Sequence, residues 1–196
     1  VRSITKDILS WSKDFLELPS KHLNNFPVCP FAKKTRLNKK ISIIEHSEAD
    51  TLLELVIKQA NQFKDNDDEI CIVACNDLFI SANELHDYIH ALNHVFVPQD
   101  VYLMCFHPED DDEEEPIKFL EDTSWQPHNE FLMVLIQPYD ELERASSQLT
   151  KTNYYDNWPK DYYDGTVNKR KQYRRLRHER HEKKSQKEYN VKSKKR

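Results

Sequence analysis

The sequence predicts an α/β fold, a single sandwich-like domain on a mostly parallel four-stranded sheet, followed by a basic C-terminal tail that is helical or disordered. Three observations predict it. Apolar residues recur at helical spacing in several segments; short apolar, β-branched runs alternate with them; and the resulting order, αβαβαββα, is the one that lays helices over a sheet.

Ile4, Ile8, Trp11 and Phe15 fall on one helical face, and Pro19 ends that helix. A loop through Cys29-Pro30-Phe31-Ala32 leads to a first strand, Lys40 to His46. Ser47-Glu48-Ala49-Asp50 starts a second helix with Leu52, Val56, Ala60 and Phe63 on one side. Ile70 to Cys75 is a continuous apolar run, as in a strand buried on both faces. Ser81-Ala82-Asn83-Glu84 has the form of a capping box, and Leu85, Tyr88, Ile89, Leu92 and Phe96 carry the third helix from it. Val101 to Phe106 and Phe131 to Ile136 read as the third and fourth strands, the direction of the fourth being open, and Pro138 to Leu149 as a closing helix.

Charge divides the chain near Thr150. Residues 1–150 hold 13 Lys and Arg against 28 Asp and Glu, a net of −15, whereas residues 151–196 hold 16 against 6, a net of +10. The expected organisation is an acidic α/β domain over 1–150 and an aromatic-led basic tail over 151–196. The apolar runs, about six residues long, fall far short of the ~20 that cross a bilayer, so no membrane partner is expected. The N-terminus lacks the pattern of a secretory signal, and the four cysteines sit mostly inside predicted strands, which points to free thiols and a cytoplasmic protein. With one glycine, Gly165, the chain has neither a P-loop nor a dinucleotide-binding loop.

Ligands of open α/β sheets bind beyond the carboxyl ends of strands. That rule nominates His46, Asn76, Asp77 and His107, which converge if their strands are parallel neighbours. Pro30 holds Cys29 extended and so presets the direction of its thiol, as a nucleophile or ligand requires. In that role Cys29 is the thiolate, His107 the general base or ligand, and Asp77 and His46 support them. Cys105 and His107, two apart on a strand, share a face and could join His46 around a metal ion. A metal or haem iron is therefore the cofactor class to test. His86, His90 and His94 line one stripe of the third helix without a His-Glu-x-x-His pattern, and read as a partly exposed polar flank. The seven acids from Glu109 to Glu115 lack the glycine and ligand alternation of a calcium loop. They read as a solvated loop, or as a guard over the site and an internal partner for the tail. In the tail, Tyr154, Tyr155, Trp158, Tyr162 and Tyr163 precede a run containing Arg170, Arg174, Arg175 and Arg177, the ingredients of nucleic-acid or acidic-partner binding. Such aromatics also suit a strap packed on the body.

Cys29-Pro30-Phe31-Ala32 after an amphipathic helix, with Phe106-His107-Pro108 at the end of a later strand, resembles an uncharacterised bacterial domain-of-unknown-function family with a Cys-Pro-Phe-Ala signature. The resemblance covers about residues 8–145 and implies Cys29 and His107 as marked positions, without a reaction. It departs from the family in Phe26-Pro27-Val28 before the cysteine, in the acidic run and in the tail. The expected function is a small-molecule, redox or metal site around Cys29 and His107; the alternative is a module that binds nucleic acid or an acidic partner through the tail.

Overall fold

The computed structural model describes residues 3–48, 51–110 and 130–179. α1 (Ile4–Trp11) begins at Ser3, whose hydroxyl accepts from the Lys6 N–H, and buries Ile8 and Trp11 before a π turn over Ser12–Leu16. β1 (Pro19–Ser20) and β2 (Phe26–Pro27) pair antiparallel, and Asn24 and Asn25 turn the chain between them at φ 53 and 67. Asparagine tolerates that left-handed backbone better than most residues. α2 (Ala32–Leu37) occupies what the sequence suggested was loop.

Beyond it the expected elements follow in order: β3 (Ile41–His46), α3 (Leu52–Gln62), β4 (Ile70–Cys75), α4 (Ala82–Phe96), β5 (Val101–Phe106), β6 (Leu132–Pro138) and α5 (Tyr139–Leu149). α4 opens with the full capping box: Ser81 Oγ accepts from Glu84 N–H, and the Glu84 carboxylate accepts from Ser81 N–H. Two short helices, α6 (Lys160–Tyr163) and α7 (Lys169–Lys171), lie in the tail. No helix among the described residues is long and apolar enough to cross a membrane.

The sheet is mixed, which corrects the expectation of a mostly parallel one. Its order is β3-β4-β6-β5, with β3 and β4 parallel and β6 antiparallel to both neighbours. β3, β4 and β5 still point the same way, because each helical crossover returns the chain to the starting end. β6 runs the opposite way and fills the slot that α4 left between β4 and β5. One face carries Cys71, Val73, Cys75, Val101, Leu103, Cys105, Leu132, Val134 and Ile136 against α3 and α4; the other packs Ile72, Ala74, Met133 and Leu135 against α1.

The two sheet edges differ. At the β5 edge, Asn93 of α4 is buried and its amide donates to Leu103 O (2.9 Å) and accepts from Leu103 N–H (2.8 Å), imitating one rung of a further strand. Asn93→Ala leaves both backbone groups dry and unpaired, so a loss of roughly 2–4 kcal/mol is expected in urea denaturation. The β3 edge has no such cover among the described residues.

The tail, as far as residue 179, packs on the body. Tyr154 and Trp158 join Leu23, Phe26 and Val28 in one cluster, and Tyr173 joins Val97, Tyr102 and Tyr139 in another. The Tyr154 hydroxyl donates to Val28 O at 2.6 Å. Residues 180–196 lie outside the described residues.

Candidate functional site

Because α4 starts at the end where β4 finishes and runs back to where β5 begins, its first turns lie beside the carboxyl end of β5. This places His86 against Cys105: the imidazole Nδ1 stands 3.4 Å from Cys105 Sγ. The other ring nitrogen, Nε2, meets Asp110 Oδ1 at 2.8 Å. Asp110 is itself held by the turn after β5, its Oδ2 accepting the His107 N–H at 2.7 Å. Thiol, imidazole and carboxylate therefore form one continuous line, Cys105–His86–Asp110.

Hydrogen bonding to Asp110, then to Cys105, pushes the His86 pKa up to about 10 against the opposing effect of burial. The ring is an imidazolium at neutral pH, donating from both nitrogens. Burial of Asp110 opposes its ionisation, but the bonds from His86 and the His107 backbone outweigh it and hold the carboxyl below its ordinary value. The His86 side chain is half exposed, whereas Cys105 is 7 % exposed.

The structure does not bring Cys29 and His107 together. Cys29 lies with α2 at the amino ends of the strands: its N–H donates to Leu16 O (2.8 Å), its carbonyl accepts from Ala32 N–H (3.1 Å), and the α2 side chain Thr35 bonds Glu69, the residue before β4. His107 follows the carboxyl end of β5, a six-residue strand ~20 Å long away. Burial raises the Cys29 thiol pKa, with the nearby Glu17 carboxylate adding to it against hydrogen bonds from Phe31 and Ala32. Nor is His107 free for proton transfer or for a metal: fully buried, its Nε2–H donates to Ile80 O (2.8 Å) and its Nδ1 accepts from Glu109 N–H (3.0 Å). His107→Ala strands those two partners, so a stability loss of about 1–3 kcal/mol is expected in chemical denaturation, with the reactivity of Cys105 retained.

Asp77 sits at the same sheet end as His107 but in the exposed loop before α4, where its carbonyl accepts the Cys75 thiol at 3.7 Å. His46 bonds Thr51 Oγ1 at 3.0 Å beside β3, with β4 and β6 between it and β5. The proposed metal set of Cys105, His107 and His46 is thus dispersed, and among the described residues no group of three His, Cys, Asp or Glu is placed to hold a metal ion.

Of the four arginines singled out in the tail, three pair with an acid of the chain, two of them with the body. Arg170, buried, pairs with Glu143 at 2.5 Å, and Arg177 pairs with Asp140 at 2.6 Å and with the Pro98 carbonyl. Arg175 pairs with Glu179, and Arg174 is exposed. The acids that receive the described tail are Glu143, Asp140 and Asp100; positions 111–115 of the acidic run lie outside the described residues.

Sequence reasoning placed Cys105 and His86 in separate arguments and treated Asp110 only as part of a charge run. The signal that joins them is the β–α–β order itself, which sets the start of a crossover helix beside the end of the next strand. Comparison with family models, curated proteins and solved structures found no match.

Proposed function

We propose that the protein is a thiol-dependent enzyme acting on a small electrophilic substrate, with Cys105 as nucleophile, His86 as its proton partner and Asp110 as the carboxylate that orients the imidazole. The line of contacts at 3.4 and 2.8 Å carries this reading. A thiolate is the attacking species, and an imidazolium in contact with the sulfur is its usual counter-ion. In the transfer step Cys105 Sγ bonds to the electrophilic carbon as the leaving-group bond breaks, and the leaving group takes the Nδ1 proton of His86.

Burial pushes Cys29, Cys71 and Cys75 up, which makes each of them a poorer nucleophile at neutral pH. Cys75 shares the sheet face of Cys105 but stands two strands away. That is about 10 Å, beyond the roughly 7 Å Cα separation a disulfide spans, which favours group transfer over a two-cysteine redox cycle. Binding of nucleic acid or an acidic partner through the tail retains less support, since of Arg170, Arg174, Arg175 and Arg177 only Arg174 is unpaired among the described contacts.

Iodoacetamide labelling of the folded chain, read by peptide mass mapping, tests the assignment. Cys105 is expected to label first, ahead of the more exposed Cys29, with Cys71 and Cys75 slow until the protein unfolds. A Cys105 that labels no faster than the other three overturns it.

A further inference from the structure

The β3 edge, uncovered among the described residues, borders a groove of about 440 Å³ between α1 and α2, distant from the Cys105 line. Apolar Leu9, Ile41 and Ile43 line it together with the cations Lys13, Arg36 and Lys39, and among the described residues no carboxylate lines it. In a region of net charge −15, that is a local reversal of sign. Arg36 is neutralised by a bidentate pair with Glu17 (2.6 and 2.7 Å), while Lys13 and Lys39 are exposed.

The strand itself supplies the second half of the argument. Lys40 O accepts from Glu69 N–H (2.8 Å) and Ile70 N–H (3.1 Å), so the Lys40 backbone faces β4. Backbone direction alternates along a strand, which turns the N–H and C=O of Ile41, Ile43 and Glu45 to the open side. Among the described residues nothing bonds those groups of Ile41 and Ile43 there. An open ladder beside an apolar, cation-lined groove has the chemistry that adds an extended peptide as a fifth strand.

We infer that the β3 edge binds an extended acidic peptide segment of a partner protein by strand addition. Main-chain bonds to Ile41 and Ile43 hold the segment, its apolar residues meet Leu9, Ile41 and Ile43, and its carboxylates meet Lys13 and Lys39.

The test is fluorescence anisotropy of the full chain with a labelled Asp-Val-Asp-Val-Asp-Val peptide. Binding is expected, weakening at high salt and falling at least tenfold in the double variant Lys13→Glu, Lys39→Glu, whose thermal melt and Cys105 labelling stay unchanged. A Lys-Val peptide of the same length is expected not to bind, and methylation of alternate backbone nitrogens of the acidic peptide is expected to abolish binding. If the acidic peptide does not bind, the lysines merely guard an edge against pairing and the inference falls. If the methylated or the Lys-Val peptide binds equally well, strand addition or charge recognition, respectively, is overturned.

Discussion

A chain ending at Thr150 is expected not to fold stably. Tyr154, Val167 and Tyr173 of the tail are each at least 96 % buried, Tyr154 and Tyr173 against the body. Burying a large apolar side chain contributes about 1.5–3 kcal/mol, so the three together are worth roughly 5–9 kcal/mol as an upper estimate, against a native stability of about 5–15 kcal/mol for a typical domain. The cut also uncovers Leu23, Val97 and Tyr139, and leaves Glu143 and Asp140 without Arg170 and Arg177. The Glu143 pair is 10 % and 12 % exposed, and breaking a buried pair by removing one partner is costly in itself. Circular dichroism melts of the truncated and full chains give the answer: a cooperative transition at unchanged temperature in the truncated chain would show the tail to be an appendage after all.

His86→Ala is expected to slow iodoacetamide modification of Cys105 by roughly 100-fold, the lower end of what a positioned acid–base partner contributes. Asp110→Asn keeps the ring in place but removes its charged anchor, so an intermediate loss is expected. His107→Ala, in the same turn, lowers stability without this loss, which separates a chemical role for the line from a structural one. An unchanged or faster rate in His86→Ala would refute the assignment. The ion pair also has a pH signature. The folded value of His86, about 10, lies above its ordinary 6.5, so its contribution to stability is fully present below about pH 6.5 and is lost as the pH climbs through about 10. Asp110, held below its ordinary 3.8, loses its contribution as the pH falls through the folded value. Since the His86 side chain is half exposed, solvent screens the pair and the effect on stability is small beside the effect on reactivity.

Much of the fold was legible because helix and strand periods are local. The Ser81–Glu84 box and the run Leu85 to Phe96 specify α4 without reference to the rest of the chain, and Ile70 to Cys75 specifies a strand buried on both faces. α2 was missed because its six residues carry one buried side chain, Thr35, and hence no apolar period. The fate of the tail was legible only as a choice, since aromatic side chains serve stacking and packing equally well.

The sequence drew attention to Cys29 and His107, which the structure places at opposite ends of the sheet. Cys29-Pro30 and His107-Pro108 are conspicuous because proline constrains the backbone locally, yet the first stiffens a loop at one end of the sheet and the second closes a turn at the other. By itself the sequence determined the elements, their order, the acidic body and basic tail, and the set of thiols and imidazoles available. Tertiary structure alone decided that β6 lies between β4 and β5, that Arg170 and Arg177 face inward, and that Cys105 meets His86 while His107 is spent on Ile80 and Glu109. The division has a physical cause: periodicity and capping are properties of neighbouring residues, whereas strand order and side-chain partners follow from competition among distant segments to bury apolar surface and satisfy polar groups at once.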